Sequence, residues 1–123
     1  MLTTQEFLAP VQATLHSSAA TVGNGEVLNL AGQFATAVVQ ITGNMGVITF
    51  KGTVDGSTWV NLNCVNLTTG AATATATAVG IYSVAVLGLN KFKAEITTHA
   101  GGTNRISAVA NVLPIANNTV ATP

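Results

Sequence analysis

The chain has 123 residues, only 7% of them charged, and its four Lys and Arg balance its four Asp and Glu for a formal net charge of zero. That length supports one sizeable core rather than two, and four scattered cations do not make the Lys/Arg cluster that nucleic acid demands. No stretch approaches the roughly 20 apolar residues of a transmembrane helix, and Met1–Glu6 lacks the basic start and apolar run of a signal peptide, so the expectation is synthesis in a cytoplasm with neither nucleic acid nor membrane as partner.

The missing charge is replaced by Thr, Ala, Asn, Ser and Gly. Thr favours strands, and Asn and Gly favour tight turns. Residues 1–25 read as an N-terminal arm with weak strand signal. Thr3–Leu8 offers at most one helical turn and Val11–His16 a strand, and Ser17-Ser18 and Gly23-Asn24-Gly25 break the pattern. A β-sandwich domain follows over 26–113. Glu26–Leu30 is its first strand. Thr36–Thr42 is nearly continuous in apolar residues, as in a strand covered on both faces. Val47–Val54 alternates, with Ile48, Phe50 and Val54 directed inward and Thr49, Lys51 and Thr53 outward. Asp55-Gly56-Ser57-Thr58 reads as a short hairpin loop in which the Asp side chain bonds the backbone ahead of it and Gly56 supplies a positive φ.

After that turn Val60, Leu62 and Cys64 fall on the inner phase, with Trp59, Asn61 and Asn63 on the other. Ala71–Ala78 alternates Ala with Thr, and such small side chains give a marginal edge strand or a loop of weak register. Ile81–Leu87 is again continuously apolar, ending at the Leu87-Gly88-Leu89-Asn90 junction. Lys91–Thr97 and Arg105–Val112 alternate cleanly across Gly101-Gly102, the latter with Ile106, Ala108, Ala110 and Val112 inward. The sum is about eight strands, an all-β antiparallel sandwich of jelly-roll-like type. Residues 114–123 form a C-terminal tail with little to bury. Free ends of this kind are fixed only when a partner holds them.

No catalytic, cofactor or metal constellation emerges. His16 and His99 have no Asp, Glu or Cys at ligand spacing. Cys64 has no neighbouring cation in sequence to activate it, and phosphate-binding glycine loops are absent. The chain therefore reads as a non-enzyme that binds no cofactor. Trp59 with Asn61 and Asn63 is the one candidate contact, either stacking on a sugar ring as in a carbohydrate-binding module or capping the sandwich end over the Asp55–Thr58 turn.

Gly46–Trp59 resembles the T-F-x-G-S-x-D-G-x-x-W hairpin of small bacteriophage and prophage structural proteins, with Thr53 where that pattern has Ser. Val65–Gly70 resembles the V-N-L-x-T-G stretch that follows in them, and Ala78–Leu89 the A-x-G-I-Y-x-V-x-V-x-G-L strand. The likeness spans residues 34–112. It implies a virion structural protein and no catalytic residues. With the neutral composition and small size, the expectation is a capsid decoration (cement) protein, a homo-oligomer and in particular a trimer. It would be assembled in the host cytoplasm and bound to the major capsid protein on the outer surface of the head, with residues 1–25 making the contact. A tail, baseplate or fibre component is the structural alternative.

Overall fold

The structure is a computed structural model, and it describes residues 10–43 and 46–112. Ten strands alternate with turns: β1 (Val11–Ala19), β2 (Leu28–Asn29), β3 (Thr36–Gly43), β4 (Val47–Thr53), β5 (Val60–Leu62), β6 (Cys64–Asn66), β7 (Ala72–Thr73), β8 (Gly80–Ala85), β9 (Lys91–Thr98) and β10 (Asn104–Asn111). No helix occurs among the described residues. The Thr3–Leu8 turn and the 114–123 tail lie outside them.

The strands form two antiparallel sheets, of order β1-β10-β3-β8-β6-β7 and β2-β9-β4-β5. The sandwich expected from the sequence is present, with ten strands in place of eight. The difference is local. The run after Trp59 is not one strand but two, because the chain leaves the four-stranded sheet after Leu62 and enters the six-stranded sheet at Cys64. The Ala/Thr tract adds only the two-residue β7.

Both open sides of the sandwich are braced by chain that changes sheet. On one side, Ala76 exchanges both backbone hydrogen bonds with Ile48 of β4 at 2.9 Å, continuing the edge where β5 departs. On the other, Gly23 pairs with Ile96 of β9, and the Glu26 amide donates to the Leu15 carbonyl of β1. His16 completes this side. Its ring is buried, and Nε2 donates to the Ala94 carbonyl of β9 at 2.7 Å, a position between Gly23 and β2 that no strand covers. Gly25, at φ 65°, lies where a side chain would run into the His16 ring and the Leu15 carbonyl.

The division of the chain at residue 25 is therefore corrected. Val11–Ala19 is not an appendage but the edge strand of the larger sheet, paired with β10 from Val11↔Ala110 to Ala19↔Asn104 with two register shifts. Val11–His16 was expected as a strand of weak signal, and the register shifts account for the weakness: the irregularity between Thr14 and His16 sends both Leu15 and His16 inward.

The core lies between the sheets. Phe50 and Phe92 of the smaller sheet stack at 5.9 Å, and Phe50 meets Tyr82 of the larger sheet at 6.1 Å, tilted by 50°. The Tyr82 hydroxyl donates to the Ala78 carbonyl at 2.7 Å, so the one polar atom of this aromatic cluster is satisfied. Leu15, Leu30, Val39, Ile41, Ile48, Val84, Ile96 and Ile106 fill the remainder.

Candidate functional site

The two outer faces of the sandwich differ in chemistry. The smaller sheet carries Lys51 on β4 and Lys91, Lys93 and Glu95 on β9. Lys51 pairs with Glu95 at 2.6 Å, a half-exposed contact of the kind worth at most about 1 kcal/mol. Trp59 immediately precedes β5, and Lys93 Nζ sits 4.3 Å from its ring centroid. Since β4 runs between β5 and β9, this contact spans the outer surface of β4. Thr53, expected to be wet, is buried there.

Of the three residues grouped in the sequence, Trp59 and Asn61 share this face. Asn63 does not: it sits at the crossing between sheets and lines a groove on the larger one. One face of the Trp59 ring is engaged by Lys93, which leaves a single ring face for any stacking ligand. The Asp55–Thr58 turn that precedes Trp59 has its own internal support.

In that turn Asp55 Oδ1 accepts from the Thr58 amide at 2.7 Å, the Ser57 amide at 2.8 Å and the Thr53 hydroxyl at 3.0 Å. Thr53 Oγ1 in turn accepts from the Gly56 amide at 3.0 Å, and Gly56 takes φ 87° as the turn requires. These donors, the Thr58 and Ser57 amides foremost, favour the ionised carboxylate and hold the Asp55 pKa well below the usual carboxylate range. Because the folded value is depressed, the stability it contributes is fully present above about pH 4, the unfolded value, and is lost as pH falls further below it. Asp55→Asn keeps the oxygen acceptor but cannot titrate. Its urea midpoint should therefore decline less than that of the wild type between about pH 4 and pH 2; two superimposable pH profiles would remove Asp55 from the acid response.

The larger sheet is different. Among the described residues its outer face carries one charged side chain, Arg105. A row of paired residues, Gln12–Val109–Val38–Ser83–Val65–Ala72, crosses all six strands. Val38, Val65, Leu67, Ala72 and Ala85 line an open groove of about 620 Å³ on this face. The sequence had read Thr36–Thr42 and Ile81–Leu87 as covered on both faces. The structure covers one: Val39, Ile41, Tyr82 and Val84 are buried, while Val38 is half-buried and Ile81 exposed. Those apolar runs were the sequence signal for this surface.

Among the described residues no group of three or more His, Cys, Asp or Glu side chains could hold a metal ion. No helix among them is long and apolar enough to cross a membrane.

The XepA family model matches residues 9–110, which takes in nine strands whole and all but the last residue of β10. The chain belongs to the XepA family. Of solved structures, this XepA-family chain is similar to the SPBc2 prophage-derived protein YomS, at 20% identity over 83% of this chain and 92% of that one, with a TM-score of 0.74. It is also similar to the PBSX exported protein XepA, at 18% identity over 83% of this chain, with a TM-score of 0.77. It spans 37% of that longer protein. At these identities the likeness establishes a shared fold. No curated protein sequence matches the chain.

Proposed function

We propose that this XepA-family domain is a structural component of a phage particle, bound as a decoration (cement) protein to the major capsid protein on the outer surface of the head. The observation that carries the reading is membership of the XepA family together with the fold shared with the SPBc2 prophage-derived protein YomS. The architecture is in keeping with it: a sandwich braced on both sides by sheet-changing chain with one broad, nearly uncharged face. Such a protein acts by burying surface across capsomer junctions, stabilising the assembled state by mass action.

A second reading rests on the description of PBSX XepA as exported, in which this chain acts outside the cell and apart from particles. A tail or baseplate position is the third. Gradient-purified particles from an induced lysogen, probed by quantitative mass spectrometry and immunogold labelling, separate them. Decoration predicts stoichiometric amounts with gold on heads. Gold on tails, or protein only in the particle-free supernatant, would sink it.

A further inference from the structure

The charges of the smaller sheet break a pairing rule. Three of the chain's four Lys and Arg, namely Lys51, Lys91 and Lys93, lie on its outer face. Lys51 stands directly opposite Lys93 in the β4–β9 ladder, and like charges at paired positions of one face cost stability. The cost is only half offset. Glu95 is taken by Lys51, and Lys93 makes no ion pair among the described residues. Its ammonium rests instead on the Trp59 ring, 4.3 Å from the centroid. Such a local conflict, with one cation left uncommitted, is expected where a protein binds something.

The neighbours complete a set. Asn61 is exposed and paired with Lys51, so Asn61, Lys51 and Lys93 form one row across β5, β4 and β9. Trp59 lies two residues before Asn61 and is half-buried. The face therefore offers a flat apolar ring, an amide that both donates and accepts, and a free ammonium. A sugar presents C–H groups to an indole face and hydroxyls to an amide. A neutral sugar leaves the ammonium on the indole. A sugar bearing a carboxylate or phosphate draws it off, because a charge-assisted hydrogen bond outweighs an exposed cation–π contact. That movement bares the ring face that Lys93 covers.

The charge available selects among anionic partners. Lys51 is committed to Glu95, and Lys91 is paired with Thr53, two residues from the Asp55 carboxylate. Lys93 alone cannot track a nucleic-acid backbone, and an anionic membrane is read by clusters of about four to eight Lys and Arg. One free cation beside one aromatic ring matches a glycan with an acidic group on a sugar unit.

We propose that Trp59, Asn61 and Lys93 form a binding site for an acidic glycan. The sugar ring stacks on Trp59, its anionic group pairs with Lys93, and a hydroxyl meets the Asn61 amide. This goes beyond the virion reading and does not depend on it.

Trp59 is the only tryptophan in the chain, so its fluorescence reports this site alone. Titration with trigalacturonate or glucose 6-phosphate should give a saturable change, about tenfold tighter than maltotriose and weakened by added salt. Lys93→Gln should lose that preference and leave acidic and neutral sugars equal, while Lys93→Arg should keep it. Trp59→Leu, followed by calorimetry, should lose binding of all three sugars, and Arg105→Gln on the opposite sheet should change nothing. Urea midpoints check that each variant is folded. A flat wild-type titration with both acidic sugars overturns the proposal, as does unchanged acidic-sugar binding in Lys93→Gln. Inorganic phosphate binding as tightly as glucose 6-phosphate would make this a bare anion contact and overturn it too. Saturation by an oligothymidylate or by phosphatidylglycerol vesicles, with none by the sugars, would assign the face to nucleic acid or membrane and equally overturn it.

Discussion

A chain lacking residues 1–25 is expected to show no cooperative unfolding transition and to aggregate on expression. The deletion removes all of β1, and with it the strand that covers β10 over its length. Leu15 and His16 are buried, and removal of a buried Leu side chain by itself costs about 2–5 kcal/mol. Loss of His16 leaves the Ala94 carbonyl without its donor, for about another 1–3 kcal/mol. Ile106, Ala108 and Ala110, now buried against β1, would sit on a raw sheet edge, which is the template for edge-to-edge pairing. Against a total stability of about 5–15 kcal/mol these losses suffice. Urea denaturation followed by far-UV circular dichroism is the measurement. A sigmoidal transition with the wild-type m-value would show that β1 is dispensable and would restore residues 1–25 as a separate arm.

That prediction departs from the reading of residues 1–25 as an arm outside the sandwich domain, and the reason is physical. Period-2 alternation is legible where a strand is regular and one face is wet, as in β9 and β10, and there Phe92, Ala94, Ile96, Ile106, Ala108 and Ala110 are buried as read. It fails where the ladder slips. In β1 the irregularity at Leu15–His16 puts consecutive residues on one face. It fails again where a strand ends or changes sheet, since extrapolated phase placed Val54 and Val60 in the core and grouped Asn63 with Trp59. The Asp55 turn was legible because its chemistry is local, with all of its bonds made within the six residues Thr53–Thr58. The chemical contrast between the outer faces was half legible. The apolar runs of β3 and β8 are evident, but only the strand order shows that they lie side by side and that the charges gather on the other sheet.

The second large effect is in the core, and it comes with a control that tests how alternation was read. Phe50→Ala should cost about 3–5 kcal/mol. The ring is fully buried, stacks on Phe92 within its own sheet and leans on Tyr82 of the opposite one, so its loss opens a void where the two sheets are pinned together. Gly52, two residues along the same face of β4, cannot help to fill it, since that face already meets Leu62 and Leu89. Val54 continues the same phase in sequence, yet it lies beyond the end of β4 and is 71% exposed, so Val54→Ala should change stability by no more than about 0.5 kcal/mol. Urea midpoints for the two variants, at unchanged m-value, give the comparison directly. Equal losses would mean that β4 runs inward past Thr53, as unbroken alternation implies. The Asp55 turn, anchored to the Thr53 hydroxyl at 3.0 Å, is what ends the strand there and sends Val54 to the surface.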